Sequence, residues 1–242
     1  MSDPRRDLAL ACRMLGRSGL TTPLLGHVSL RVDEDHVLMR CRGPQERGLL
    51  FTTVEDIRLV SLSDTGAVGD GYSLPNEFPI HAEVLRARAD VSSVLHAHPR
   101  SALLGGLAEV PVRPVFGAYD IPAYRLAVGG VPVHPHAGLV RSPAAGQAVA
   151  ATLGQAPVCL LRGHGIVTTG TDVPSAIAQA WALEELLSVS VELARLGCTP
   201  PEVAPDDLPD LGPSFNVAAL WRHHVGLLEL QGLAEVDHEA TA

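Results

Sequence analysis

Three histidines in two separate stretches of the chain have the spacing of metal ligands. His96 and His98 stand one residue apart at the end of a strand-like run. In an extended backbone, residues i and i+2 point to the same side, so both imidazoles can reach one point. His164 lies between two glycines, in a turn that separates two apolar runs. Three neutral imidazoles with room for a fourth ligand form an open metal site of the catalytic type. The alternative is that three unrelated polar histidines lie in turns.

The basic residues exclude several kinds of chemistry. All 18 are arginine, and no lysine occurs. Schiff-base catalysis and pyridoxal-phosphate catalysis both require a lysine amine, and so does a Walker-type phosphate loop. No G-x-G-x-x-G motif opens a helix, which argues against a Rossmann dinucleotide site. A lyase of this composition must therefore use a metal or another cofactor as its electron sink.

Charge, cysteines and hydropathy limit the partners. The formal net charge is −9 and the arginines are scattered, which argues against a nucleic-acid surface. The cysteines Cys12, Cys41, Cys159 and Cys198 form no C-x-x-C pair and suggest no disulfide framework. The N-terminus lacks a signal-peptide profile, and no apolar run approaches the length of a membrane span. These features predict a cytoplasmic protein with neither nucleic-acid nor membrane partners.

Hydrophobic periodicity predicts strands in the middle of the chain with helices before, between and after them. Helices are predicted at 8–15, 79–88, about 99–101, 173–196 and 216–230. Strands are predicted at 27–32, 37–40, 49–51, 58–62, 91–95, 158–161 and 166–169. A turn is predicted at 64–66, an irregular segment at 110–130, and a mobile tail from about residue 231. We predict one α/β domain over residues 1–242, with a central mixed or antiparallel sheet.

Four short motifs resemble those of the class II aldolase/adducin superfamily. They are Gly26-His27-Val28-Ser29-Leu30-Arg31, Asn76-Glu77 before a helix, His96-Ala97-His98-Pro99 and Arg162-Gly163-His164-Gly165. Their order and spacing carry the resemblance over about residues 8–196.

The resemblance has consequences for fold, assembly and metal content. It implies a three-layer α/β/α sandwich whose central sheet is mixed and mainly antiparallel. It also implies a homotetramer with active sites between neighbouring subunits. One divalent ion per subunit is expected, with zinc first and manganese, iron or cobalt as alternatives. By this resemblance His96, His98 and His164 are the metal ligands, and Glu77 is the acid/base.

Elementary chemistry supports a proton-transfer role for Glu77. A divalent ion polarises a substrate oxygen and stabilises an adjacent carbanion, and another group must move a proton to or from that carbon. Glu77 lies just before the helix that leads into the histidine strand. The alternative is an acid that only stabilises the helix N-terminus. His81, one turn further on, is predicted to face the core or to support the metal ligands.

Several motifs depart from those of the phosphosugar aldolases. Those enzymes usually have Gly-Asn at Gly26-His27, a Thr-Pro-Ser-Gly-type turn at 51–54, and often Ser-Ser at Pro75-Asn76. These groups normally cradle a phosphate, so their loss predicts a substrate without one. Segments 111–120 and 161–165 instead resemble a branch that decarboxylates hydroxylated aromatic carboxylates such as dihydroxyphthalate.

An anionic small-molecule substrate requires cations and polar groups beyond the metal. Arg100 follows the histidine pair and is predicted to bind a carboxylate. Arginine can form two parallel hydrogen bonds to a carboxylate. His27, Ser29 and Asn76 are predicted as further substrate contacts, although a turn histidine satisfied by backbone is an equal alternative for His27. Tyr119 is predicted to be a catalytic proton donor or a residue of the subunit interface.

Three functions compete at this point. The first is a metal-dependent decarboxylase of a hydroxylated aromatic acid. The second is an aldolase or epimerase acting on a small sugar or hydroxy-keto acid, which would use the same kind of carbanion. The third is a non-catalytic, adducin-like binding module, which is expected to lack the metal ligands.

Overall fold

A seven-stranded sheet forms the centre of the protein in a computed structural model that describes residues 3–63 and 68–237. The strands are β1 His27–Arg31, β2 His36–Arg40, β3 Ile57–Ser61, β4 Ser93–Ala97, β5 Val133–His134, β6 Val158–Leu161 and β7 Gly165–Gly170. Their spatial order is β3-β2-β1-β4-β7-β6-β5. Neighbouring strands are antiparallel, except that β5 runs parallel to β6. The mixed, mainly antiparallel sheet predicted from the sequence is thus confirmed.

Helices cover both faces of this sheet. They are α1 Pro4–Ser18, α2 Phe78–Ala87, α3 Arg100–Leu107, α4 Ile121–Gly129, α5 Pro143–Leu153, α6 Val173–Arg195 and α7 Val217–Leu230. On one face, α1 and α6 contribute Leu8 and Leu183 to one apolar core, and α3, α4 and α7 pack against α6. On the other face, α2 and α5 pack together over a second core that includes Val84 and Val149. The α/β fold class and its three layers follow from these two separate cores.

Two helices went unpredicted although the sequence carries their start signals. Helix α4 occupies the second half of the segment 110–130, which was expected to be irregular. The Asp120 carboxylate accepts a hydrogen bond from the amide of Ala123, and a proline stands in the first turn. Helix α5 begins in the same way. The Ser142 hydroxyl accepts a hydrogen bond from the amide of Ala145, and Pro143 is the first residue of the helix. A cap followed by proline is a typical helix start, and it outweighs the many small residues around it.

Two other local predictions were wrong or lie outside the structure. Residues 49–51 were predicted as a strand but form a 3-10 turn, Leu49–Phe51, in which the Thr52 amide donates to the Leu49 carbonyl. The adjacent Gly48 has φ +98°, a conformation that breaks an extended strand. The turn predicted at 64–66 lies outside the described residues.

Part of the stretch predicted as a mobile tail from about residue 231 packs against the rest of the domain. Val236 is fully buried, and its carbonyl accepts a hydrogen bond of 2.9 Å from the amide of Val54. The buried guanidinium of Arg13 in α1 donates to the carbonyls of Leu233 and Glu235, at 2.9 Å each. Burial and these bonds fix residues 233–237 against α1, and the rest of the predicted tail, 238–242, lies outside the described residues.

Within the described part of the chain, no helix is both long and apolar enough to cross a membrane.

Candidate metal centre

The three predicted histidine ligands meet at one end of the two central strands. His96 lies in β4, and His98 follows directly after that strand ends. β4 pairs with β7, so that Ala97 lies opposite Ile166, and His164 occupies the turn just before β7. A side chain at Gly165 would meet the carbonyl oxygen of Ala97 at 2.3 Å. Glycine is therefore required for the turn to approach β4 so closely, and this approach brings His164 to the histidine pair.

Glu77 joins the three histidines from the other side. It occupies the N-cap position of α2, but its side chain makes no capping hydrogen bond to that helix. One carboxylate oxygen, Oε1, accepts a 2.9 Å hydrogen bond from the backbone amide of Val140. The other, Oε2, lies 3.2, 3.4 and 3.9 Å from the Nε2 atoms of His96, His164 and His98, respectively. The carboxylate therefore faces the histidines and does not cap its own helix.

These four side chains have the spacing that a divalent cation requires. One ligand atom from each lies within 4.8 Å of the others, and no other such group of His, Cys, Asp or Glu occurs among the described residues. Zinc–ligand bonds of about 2.0–2.1 Å in a tetrahedron place neighbouring ligand atoms about 3.3 Å apart. The distances from Glu77 Oε2 to the nitrogens lie close to that value, so the carboxylate borders the space in which the three histidines would hold a cation.

The hydrogen bonding of His96 supplies a second test of fit. Its Nδ1 lies 2.9 Å from the carbonyl oxygen of Ile166, so Nδ1 carries the proton and donates it. In the neutral ring this leaves the lone pair on Nε2, which faces the Nε2 atom of His98 at 2.8 Å. Lone pairs that converge in a buried space repel one another unless a cation or a shared proton lies between them. The donor set of three imidazoles and a carboxylate suits zinc, and also iron, manganese or cobalt.

Burial favours the proton-free form of His98. Burial, together with the neighbouring His96 and His164, lowers the pKa of His98 to about 3. For Glu77, burial raises the pKa, but the closeness of His164 and His96 and the hydrogen bond from the Val140 amide outweigh it and hold the pKa far below its usual range. An imidazole without a proton on its ligating nitrogen and an ionised carboxylate are the forms that bind a metal.

A second line of hydrogen bonds lies behind this cluster. Ser29 Oγ is 2.7 Å from His81 Nδ1, and His81 Nε2 is 2.7 Å from His27 Nδ1. The His27 ring lies beside that of His96, with ring centres 5.1 Å apart. Burial, together with the neighbouring His96, lowers the pKa of His81 to about 3. His81 thus faces the core and connects β1 to the metal ligands, as the sequence predicts.

The predicted substrate contacts are distributed unevenly around the cluster. Ser29 is fully buried behind His81, so it presents no surface to a substrate, and the prediction of direct contact is not supported. Asn76 is exposed next to Glu77. Arg100 is the first residue of α3, exposed, and without a hydrogen bond or ion pair to any described residue. Arg100 is therefore a free cation two residues after His98.

Tyr119 does not join the cluster within this chain. Its side chain is 72% exposed, and its hydroxyl donates a 2.9 Å hydrogen bond to the carboxylate of Glu185 on α6. That hydrogen bond raises the pKa of Tyr119. A catalytic role for Tyr119 would require the side chain to reach a site on a neighbouring subunit.

One participant was absent from the sequence prediction. Val140 holds Glu77 through a backbone amide, so its side-chain type carries no signal. The only available clue was position, because Val140 precedes Ser142, the cap of α5, and α5 packs on α2.

Comparisons with known proteins agree with this geometry. Residues 6–191 match the family described as Class II Aldolase and Adducin N-terminal domain. The chain is 46% identical over 227 residues to a 3,4-dihydroxyphthalate decarboxylase of Terrabacter sp. (strain DBF63), covering 91% of this chain and 95% of that protein. Proteins of the same name from Arthrobacter keyseri and Rhodococcus jostii (strain RHA1) are 45% and 41% identical, covering 91% and 90% of this chain and 92% and 93% of theirs.

Solved structures show the same fold. An aldolase II superfamily protein from Pseudomonas syringae superposes with a TM-score of 0.79 at 24% identity, covering 97% of this chain and 95% of that one. L-fuculose-1-phosphate aldolase from Thermus thermophilus gives a TM-score of 0.61 at 28% identity, covering 79% of this chain and 98% of that one. Because the family match spans most of the residues and includes all four clustered side chains, this chain belongs to the class II aldolase and adducin family.

Proposed function

We propose that the protein is a divalent-metal-dependent lyase that decarboxylates a hydroxylated aromatic carboxylate, with 3,4-dihydroxyphthalate as its substrate. One observation carries this proposal. A buried cluster of Glu77 and three histidines occurs in a chain that is 41–46% identical, over at least 90% of its length, to proteins named for that reaction. The cluster also argues against a non-catalytic, adducin-like module, which is expected to lack these ligands.

The substrate itself indicates which carboxylate leaves. In 3,4-dihydroxyphthalate, the C2 carboxylate lies beside the C3 hydroxyl, whereas the C1 carboxylate has no neighbouring hydroxyl. When the bond from C2 to its carboxylate breaks, carbon dioxide leaves and the electron pair stays on C2. A proton must then be delivered to C2, which gives 3,4-dihydroxybenzoate. The enzyme must therefore bind the C2–C3 edge of the ring at its metal centre and supply one proton there.

In this proposal His96, His98 and His164 hold the cation. When bound there, the cation supplies positive charge that favours ionisation of a substrate hydroxyl and stabilises negative charge on the ring. The Ile166 carbonyl fixes the orientation of His96 by accepting its Nδ1 proton. A ligand oriented in this way loses less entropy on metal binding, as is usual for metal-bound histidine.

Glu77 is the proposed proton carrier. The Val140 amide holds Oε1, which leaves Oε2 directed at the three Nε2 atoms. The same contacts lower its pKa and keep Glu77 ionised before substrate binds. An ionised Glu77 can accept the proton of the C3 hydroxyl and return it to C2 after carbon dioxide has left. That proton ends on C2, and the C3 oxyanion of the product takes one proton from water, so each turnover consumes one solvent proton.

The carboxylate that remains on C1 requires a cation that is not already paired. Arg31 donates all its hydrogen bonds to backbone carbonyls around the end of α2, and Arg162 lies 3.1 Å from Glu109. Arg100 has no such partner among the described residues and lies two positions after His98. We therefore assign the C1 carboxylate to Arg100, with Asn76 as a neutral contact beside Glu77.

The proposal includes a homotetramer with active sites at the subunit interfaces. Two apolar side chains near the metal centre support an interface there. Leu107 lies next to Gly163, in the His164 turn, and is 64% exposed, while Leu139 precedes Val140 and is 51% exposed. In this arrangement Tyr119 would act in a neighbouring subunit's site. Light scattering of the purified protein should give four times the chain mass, and a monomer would contradict this part of the proposal.

Zinc is the proposed resident metal, because three imidazoles and one carboxylate match its usual ligands. Iron, manganese and cobalt are the alternatives, and metal analysis of protein purified without added metal distinguishes them. We further propose one functional domain over residues 1–242 and a cytoplasmic location. The location is supported by Cys12, Cys41 and Cys159, which are buried and free, as expected in a reducing compartment.

The decisive assay follows carbon dioxide release from 3,4-dihydroxyphthalate by the metal-loaded protein. We expect stoichiometric formation of 3,4-dihydroxybenzoate. Absence of carbon dioxide together with rapid aldol cleavage or epimerisation of a small sugar or hydroxy-keto acid would favour the aldolase or epimerase alternative instead. Phthalate, which lacks both hydroxyls, serves as the matched control and should not react.

A further inference from the structure

The line of hydrogen bonds behind the metal centre ends at one atom that has no partner. His81 uses both ring nitrogens, one with Ser29 Oγ and one with His27 Nδ1, at 2.7 Å each. Nε2 of His27 makes no hydrogen bond to any described residue. The His27 ring also lies beside His96, and its residue is 6% exposed. Nε2 is therefore the only hydrogen-bonding atom that this line can offer to a ligand.

The fold makes the position of that atom rigid. In the pairing of β1 with β4, His27 lies directly opposite His96. His27 and Ser29 are two residues apart in β1, so both point to the side where α2 places His81. Ser29, His81 and His96 are fully buried, and His27 is 6% exposed. A ring fixed by its neighbours and by one hydrogen bond at 2.7 Å has little freedom to turn away from the site.

The hydrogen bonds also fix what His27 can recognise. If Ser29 accepts from His81, then His81 accepts from His27, and Nε2 of His27 presents a lone pair. If the Ser29 hydroxyl donates, each bond reverses and Nε2 presents a proton. A serine hydroxyl can serve either arrangement without any change in charge. In either arrangement Nε2 of His27 can hydrogen-bond a hydroxyl, which both donates and accepts.

We propose that Ser29 and His81 are positioning residues that hold His27 so that its Nε2 hydrogen-bonds the C4 hydroxyl of the substrate. This inference rests on the proposed decarboxylase function, since only that substrate carries a C4 hydroxyl. The C3 hydroxyl and C2 carboxylate belong to the metal centre and the C1 carboxylate to Arg100. The C4 hydroxyl is the one remaining polar group, and it lies next to the metal-bound edge of the ring, as His27 lies next to His96.

The test compares two substrates that differ only in that hydroxyl. The measured quantity is kcat/KM for 3,4-dihydroxyphthalate divided by kcat/KM for 3-hydroxyphthalate. In the wild-type enzyme this ratio should be about ten or more, because a polar site group loses its partner with the second substrate. His81→Phe should lower the ratio about tenfold, and Ser29→Ala about threefold. In both variants the ratio should fall mainly because kcat/KM for 3,4-dihydroxyphthalate falls. Both variants should retain one metal ion per chain.

Ser93→Ala is the matched control for loss of a buried hydroxyl. Ser93 is fully buried in β4, and its Oγ donates only to the backbone carbonyl of Ser29. The Ser93→Ala variant should leave the ratio unchanged. Calorimetric binding of the two products, 3,4-dihydroxybenzoate and 3-hydroxybenzoate, gives a second readout without turnover, and His81→Phe should remove their difference in affinity.

The outcomes separate this inference from the proposed function. If the wild-type protein releases no carbon dioxide from either acid, the decarboxylase function fails and the inference fails with it. If the wild-type enzyme is active but both substrates decline equally in His81→Phe and Ser29→Ala, His81 and Ser29 are structural only and the inference is wrong. If His81→Phe does not fold, the Ser29→Ala ratio and product binding decide alone, since that substitution removes a single oxygen.

Discussion

Two buried polar groups of this protein differ in how their hydrogen-bonding atoms are paired. The guanidinium of Arg13 is fully buried and donates to the carbonyls of Thr52, Leu233 and Glu235, at 2.7 to 2.9 Å. At the metal centre, Glu77 and three histidines are also largely buried, yet their ligand atoms face one another as acceptors. Arg13 finds three acceptors within the chain and leaves Nη2 without a partner among the described residues, whereas the clustered acceptors of the candidate metal centre are arranged to surround a cation.

The difference shows which buried polar groups indicate function. Burial of a charged side chain is compatible with a structural role when most of its donors find acceptors, as those of Arg13 do. Several buried acceptors around one point are stabilised only when a cation or a shared proton lies between them. Removing one partner should therefore affect stability in the first region and metal binding in the second.

The largest expected effect comes from His96→Ala. The substitution removes the ligand that lies deepest in the sheet and whose Nδ1 proton is fixed by the Ile166 carbonyl. We expect the metal content to fall from one ion per chain to near zero and carbon dioxide release to fall to background. Elemental analysis and the decarboxylation assay measure both. His36→Ala is the control, because His36 lies on β2 and pairs with Asp33. That variant should keep one metal ion per chain. Full metal content in His96→Ala would exclude His96 as a ligand.

The next largest effect is expected from Glu77→Gln. The amide retains the shape of the carboxylate but cannot carry a proton between the hydroxyl and C2. General acid–base groups contribute about 10²–10⁴-fold, so we expect kcat to fall about a thousandfold with metal still bound. Glu83→Gln, on the same helix and paired with Arg86, is the control and should keep its kcat. An unchanged kcat in Glu77→Gln would remove Glu77 from the mechanism.

An intermediate effect, on stability alone, is expected from Arg13→Met. The substitution leaves the buried Thr52 carbonyl and the partly buried carbonyls of Leu233 and Glu235 without their donor, which should lower the free energy of unfolding by about 3 kcal/mol. Urea unfolding measures this, and metal content should not change. Arg17→Met, one turn further along α1, removes an exposed hydrogen bond to Gln231 and should cost less than about 1 kcal/mol. Equal costs for the two variants would contradict the structural role given to Arg13.

The smallest effect is expected from Arg100→Gln. Loss of one cation that binds the C1 carboxylate should raise KM about tenfold and leave the metal in place. Arg222→Gln on α7 is the control, because Arg222 is also exposed and has no ion pair to any described residue. An unchanged KM in Arg100→Gln would mean that another group binds the carboxylate.

Much of the metal centre could be predicted because its residues follow local rules. The pair His96 and His98 followed from the alternation of a strand, and His164 from its glycine-flanked turn. The close approach of Gly165 to Ala97 then required only that β4 and β7 pair. The Val140 amide could not be predicted, because it contacts Glu77 across 63 residues and any residue type carries an amide.

The differences between prediction and structure have two origins. Helices α4 and α5 were missed although their caps are local signals, because small residues and prolines surround those caps. The packing of the segment around Val236 has no local signal, because its anchors, Val54 and Arg13, are distant in sequence. The burial of Ser29 behind His81 is likewise set by a tertiary contact, which no local pattern encodes.

The central claim is that a cation held by His96, His98 and His164 makes decarboxylation possible. Its most direct test is carbon dioxide release from 3,4-dihydroxyphthalate before chelation, after exhaustive chelation with the bound metal verified as absent, and after the metal is restored. We predict full activity, no activity and recovered activity, in that order. Undiminished release of carbon dioxide from the metal-free protein would contradict the account.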